Sequence, residues 1–209
     1  MTARDPEQTR ERILEAAGQL FYRDGIRPVA MDAVAEAAGV TKKTLYYHFD
    51  SKDDLVVAYL DHMAERTHGA LTRAASRRAG GPMARLLGLF EDLEGRLAHE
   101  RFRGCPFVNA AAELASSEPA RQAAARAKEL TRAWFETGLV ELGVDDPAGL
   151  SEQLMILTDG AVASWLVRRD PRAATRAREM AAILLRAAAP AAALARPEPH
   201  LNTERTEAR

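Results

Sequence analysis

The chain has 209 residues and a mass of 22.8 kDa, enough for one large domain or two small ones, each with a buried core. With 47% hydrophobic and 28% charged residues it has the composition of an ordinary soluble globular protein, and no apolar run is long enough to cross a membrane. A formal net charge of -1 gives no global attraction to nucleic acid, so any such binding rests on a local patch. The single cysteine, Cys105, excludes an internal disulfide framework and a multi-cysteine zinc site.

Alanine is abundant, while glycine and proline fall mostly at segment ends, and long alternations of Val, Ile and Thr are missing. Strands have little to build on, so an all-α fold is expected. The charged opening stretch lacks an apolar signal core, which leads us to expect a cytoplasmic protein with no membrane partner. No glycine-rich phosphate loop or histidine-rich metal pattern is present, and no cofactor is expected.

The first helix is predicted from Pro6 to Asp24, with Asp5 as its cap, Ile13, Ala17, Leu20 and Phe21 on its inner face, and Gly25 closing it in a left-handed conformation. A short second helix follows over 31–38, with Val34 and Ala38 inward. Gly39 breaks it. Thr41 caps a third helix over 42–49 by accepting an N–H such as that of Thr44. Ser51, three residues before Asp54, caps a long fourth helix over 52–75.

The stretch Ser76 to Pro82, "SRRAGGP", is the predicted domain boundary. Beyond it the pattern predicts helices at 82–99, 105–117, 118–142, 147–168 and 171–188, several of them opened by Asp-Pro or Ser-Glu-Pro. Pro190 ends the last. The tail 191–209 is polar and without periodicity, and is expected to be disordered. The expected organisation is a DNA-binding unit over 1–52, the connecting helix over 52–75, and a second helical domain over 76–190.

Two short helices joined at Gly39 match the helix-turn-helix arrangement, whose second helix enters the major groove. Leu45 and Phe49 lie four apart and turn inward with Val40, leaving "KKT", "YYH" and the helix N-terminus to face outward. Lysine meets guanine edges or phosphate, threonine meets a thymine methyl, and tyrosine and histidine tips suit phosphates. The competing reading is a solvated basic turn of helix beside two core aromatics.

Ala35 to Leu55, "AEAAGVTKKTLYYHFDSKDDL", resembles the signature of the TetR family of bacterial transcriptional regulators, and the resemblance extends back through "RILEAAGQLFYRDG", Arg12 to Gly25. It implies an all-helical one-component regulator, with a three-helix DNA-binding domain and a larger C-terminal domain that binds a small molecule and dimerises. By resemblance most such proteins are repressors released from a palindromic operator by their ligand. Lys42, Lys43 and Thr44 fall where members of the family read bases, and Tyr46, Tyr47, His48 and Lys52 where they hold bases or phosphates. With Thr41 these make up the candidate DNA-contact set. One departure is Ala30, which stands where the second helix usually begins with Thr or Ser. A second is charge: over residues 1–68 acidic side chains outnumber Lys and Arg, so the few lysines must carry much of the attraction.

In the C-terminal half, "FRGCPFVNAAAEL", Phe102 to Leu114, is the most individual stretch. The candidate ligand pocket takes Phe90, Cys105, Phe107, Trp134 and Met155 as walls or reactive group, and Asn109, Glu113 and Asp159 as polar anchors. Ordinary core packing competes with this reading for the aromatics, and solvent exposure for Glu113. Apolar stripes on the last two helices, Leu150, Leu154, Leu157, Ala161 and Trp165, then Ala173, Ala177, Met180 and Leu184, suggest a two-fold dimer interface through 147–168 and 171–188. A ligand would then swing the fourth helix and spoil the spacing of the two DNA-reading units.

Two other functions compete. Cys105, just before a helix N-terminus, would make the chain a redox- or electrophile-responsive regulator. Without DNA recognition, it would be a helical small-molecule binding protein. An enzyme is not expected, since Cys105 with His99 or His62, and Glu113 with Asp159, sit in no catalytic motif.

Overall fold

The computed structural model describes residues 5–190, and among these the chain forms nine α-helices and no strand. They are α1 (Pro6–Asp24), α2 (Met31–Ala37), α3 (Lys42–His48), α4 (Lys52–Arg77), α5 (Pro82–Leu97), α6 (Pro106–Glu113), α7 (Glu118–Leu142), α8 (Pro147–Arg168) and α9 (Arg172–Ala188). The expected disordered tail, 191–209, lies outside the described residues. No helix among the described residues is long and apolar enough to cross a membrane.

The caps explain where the helices begin. Asp5 accepts the N–H of Glu7 at 3.0 Å, Thr41 that of Thr44 at 3.1 Å, Ser51 that of Asp54 at 3.1 Å and Asp146 that of Gly149 at 2.9 Å. Each replaces a hydrogen bond that the first turn cannot make for itself. Ala30 offers α2 no such side chain.

Helices α2 to α5 end within two residues of expectation, and three other helix ends differ for a local reason. Gly25 has φ +89° but ψ 161°, so α1 ends by turning into extended chain rather than in a left-handed helical cap. Helix α6 covers only Pro106–Glu113, because Leu114 leaves the helical region (φ -110°, ψ 42°) and its carbonyl accepts the Ser117 N–H at 2.8 Å. Helix α9 starts at Arg172, whose N–H is taken by the Asp170 carboxylate at 3.0 Å.

Two apolar cores result. The first gathers Ile13, Ala17, Phe21, Val34, Leu45, Leu55, Tyr59 and Leu60 from α1 to α4, and continues into Phe107 and Ala110 of α6 and Ala120, Ala123, Ala124 and Ala127 of α7. The alanine row on α7 has no bulk, so α7 lies close along α4. The helices break only over 78–81, within the expected 76–82 boundary, and this core does not stop there. The second core joins α5, α7, α8 and α9 around Phe90, Phe135, Leu139, Leu154 and Leu185. Cys105 touches both cores.

Candidate nucleic-acid interface

Helix α3 is held from beneath and open above. Leu45 is fully buried and Phe49 nearly so, each contributing about 1.5–3 kcal/mol by leaving water. The turn before it is closed by a pair of backbone bonds, Val40 N–H to Ala35 O and Gly39 N–H to Glu36 O, both 3.0 Å. This closure needs the left-handed φ of +63° that Gly39 supplies.

The candidate contact residues divide by what already occupies them. Lys42 and Lys43 are exposed, as is Tyr46, and Tyr47 stands 80% exposed with its ring edge-on to His48 at 5.3 Å. A tyrosine so open to water gains little from folding, which fits a surface kept for a partner. Lys42 Nζ lies 2.9 Å from Asp32, and this hydrogen-bonded partner holds its ammonium above the ordinary lysine range. Both partners are exposed, so water screens the pair and it adds little to the stability of the fold. Thr41 and Thr44 hydroxyls bond each other at 2.8 Å within the cap, and Lys52 donates to the Arg27 carbonyl at 3.0 Å.

Sequence reasoning missed the residues that aim this surface. Arg12 of α1 donates to the Ala38 carbonyl at 2.8 Å and to the Gly39 carbonyl at 3.4 Å, fixing the turn from behind. Arg10 lies over the Phe49 ring at 5.3 Å. Nothing in the local pattern marks either arginine, since their partners are more than twenty-five residues away.

The eight candidate ligand residues do not gather round one cavity. Phe90 is fully buried against Phe135, with ring centroids 6.2 Å apart. Trp134 meets the same Phe135 ring edge-on, and Met155 is buried in the second core. These three fill space rather than line it. Asp159 is ion-paired with Lys128, and Cys105 is a half-buried cap residue of α6. Phe107 lines a cleft of about 460 Å³ against α7. Asn109 and Glu113 line a different crevice of about 570 Å³, with Phe21, Ile26, Tyr59 and Arg103. Burial raises the Tyr59 hydroxyl above its ordinary pKa, and that of Tyr22 as well, at the rim of this crevice.

Glu113 was expected to orient a ligand, but it is already engaged. Its two carboxylate oxygens accept the N–H of Ile26 at 2.9 Å and of Arg27 at 2.5 Å. The extended turn at Gly25 points these N–H groups away from α1 and leaves them needing an acceptor.

Residues 13–59 match the model of the bacterial regulatory proteins, tetR family, and residues 82–180 match the C-terminal domain model of LmrA/YxaF-like transcriptional regulators. A solved TetR-type regulator of Streptomyces avermitilis is 32% identical, with a TM-score of 0.69, and the likeness covers 83% of this chain and 97% of that one. The chain belongs to the TetR family of bacterial transcriptional regulators. Another member of known structure, SCO4454 of Streptomyces coelicolor, is 29% identical over 87% of this chain and 96% of its own, with a TM-score of 0.76. Among curated relatives, the regulator TtgR of Pseudomonas putida is 42% identical over 74 residues, which span only 35% of either chain. Similarity to TtgR is thus confined to a stretch about the size of the DNA-reading unit. In this TetR-family chain, α2 and α3 form the helix-turn-helix and α3 is its recognition helix.

Proposed function

We propose that this regulator is a homodimeric repressor that holds a palindromic operator and releases it when a small molecule binds the C-terminal helices. The observation that carries the reading is an unpartnered apolar face shared by α8 and α9. Ile156, Gly160, Ala163 and Val167 follow one another at helical spacing on the outside of α8, and Met180 and Ile183 do so on α9.

Most of the stripe expected from sequence points the other way, although Met180, which belonged to it, lies on the outer face. Leu150, Leu154, Ala161, Trp165 and Ala177 are buried within the protomer, so they cannot meet a partner. Helix α8 is apolar on both faces, and periodicity alone did not separate them. A two-fold axis through the outer face sets two α3 helices on one side of the molecule, in successive major grooves about 34 Å apart or wider.

In this reading Lys42, Lys43, Thr44, Tyr46 and Tyr47 meet base edges and phosphates, while Thr41, His48 and Lys52 secure the flanks. Phosphate contact frees Lys42 from Asp32. A gel-shift and footprinting titration on DNA upstream of the chain's own coding region tests the proposal. A two-fold footprint that weakens steeply with salt supports it, and a chain that leaves no such footprint refutes it.

A further inference from the structure

One connection between the two halves of the molecule runs through a single residue, Arg27. Glu113, the last residue of α6, accepts the N–H of Arg27 as well as that of Ile26. On its other side Arg27 offers its carbonyl to Lys52 Nζ at 3.0 Å, at the first position of α4. The loop between α1 and α2 is therefore gripped by the C-terminal half through its donors and by a DNA-contact lysine through its acceptor.

The other end of α6 is fastened to α1 itself. The Tyr22 hydroxyl donates to the Gly104 carbonyl at 3.0 Å and accepts the Arg103 N–H at 2.8 Å. Asn109 ties the segment internally through the Arg103 carbonyl at 2.9 Å. Helix α6 thus spans about 12 Å between two hydrogen-bonded clamps, one on Tyr22 of α1 and one on the loop that follows α1. Since α2 has no side-chain cap of its own at Ala30, the position of its first turn depends on this loop.

We infer that Glu113 is a positioning residue for DNA recognition, coupling α6 to the α1–α2 loop and to Lys52 by a direct route that does not run along the length of α4. The inference rests on the DNA-binding reading above. A shift of α6 by about 1 Å carries the Glu113 bonds beyond hydrogen-bonding range. The backbone on both sides of Arg27 is then free to turn, Lys52 loses its acceptor, and the entry to the helix-turn-helix loosens. The neighbouring crevice, walled by Phe21, Ile26, Tyr59 and Glu113, leaves room for that shift.

Coupling is reciprocal, so DNA itself can serve as the probe. The full chain selects a duplex from a random pool, and amide hydrogen exchange is then measured with and without that duplex. In the wild type, DNA is expected to slow exchange across 106–113, although α6 does not touch it. In Glu113→Ala this slowing is lost, and the Ile26 and Arg27 amides of the free protein exchange about tenfold faster. Glu113→Gln keeps the side-chain volume and one acceptor oxygen, and is expected to fall between the two, which carries the test should the alanine variant not fold. Arg126→Ala, which removes the α4–α7 ion pair to Asp61, keeps the DNA effect on α6. The inference is overturned if Glu113→Ala and Glu113→Gln respond to DNA like the wild type, or if Arg126→Ala alone abolishes the response. A chain that selects no duplex overturns the DNA-binding reading along with it, whereas one that selects a duplex without any change in α6 overturns this inference alone.

Discussion

Replacing Ile156 by aspartate is expected to break the dimer while leaving the protomer folded. Ile156 is 71% exposed in the protomer, so its outward surface contributes little to the fold. Burying an entire isoleucine side chain is worth about 1.5–3 kcal/mol, so covering the exposed share is worth about 1–2 kcal/mol. Two-fold symmetry removes this contribution twice, about 2–4 kcal/mol in all. The entropic cost of association is common to both proteins and cancels in the comparison. At about 1.4 kcal/mol per tenfold, the dimer dissociation constant should rise roughly 30- to 700-fold. Desolvating two aspartates adds to this, so the figure is a lower bound. Sedimentation equilibrium over a range of concentrations measures the constant, and thermal melting of the dilute variant checks the fold. A variant that melts like the wild type and dimerises within about threefold of it would refute the assignment of this face.

Three further outcomes follow from the geometry. Thr41→Ala removes the cap that accepts the Thr44 N–H and should cost about 1 kcal/mol of stability, seen as a lowered urea midpoint. Lys52→Ala should weaken binding to all duplexes about equally and lower the salt slope by about one, and a change in the preferred sequence instead would show that Lys52 is not a phosphate contact. Tyr59 gives an alkaline signature. Burial raises its pKa above the unfolded value of 10.0, so its contribution is complete below pH 10 and is lost as the pH rises beyond it, when the unfolded chain ionises and the folded one does not. Tyr59→Phe should therefore flatten the loss of stability above pH 10, measured by denaturant unfolding across that range, and an unchanged slope would mean that this hydroxyl is not held protonated by the fold.

The helix-turn-helix was legible because its determinants are local. Gly39 at positive φ, the Thr41 cap, and the spacing of Leu45 and Phe49 act over a few residues, and the structure uses each of them as expected. The ligand anchors were not legible in the same way. Phe90, Trp134 and Met155 are apolar side chains on helices, and whether such a side chain fills a core or walls a cavity depends on neighbours supplied by other helices. Asp159 was an anchor in sequence and is an ion-pair partner of Lys128 in space, for the same reason.

Taken alone, the sequence determined the all-helical class, the starts of most helices and the helix-turn-helix, because caps, turns and helical periodicity are decided by residues close in the chain. Tertiary structure decided which way α8 faces, since a helix apolar on both sides has no preferred face until α7 and α9 cover one of them. It also decided the role of Glu113. A carboxylate commits to whichever unpaired N–H groups lie within reach, and here those belong to Ile26 and Arg27, more than eighty residues earlier in the chain.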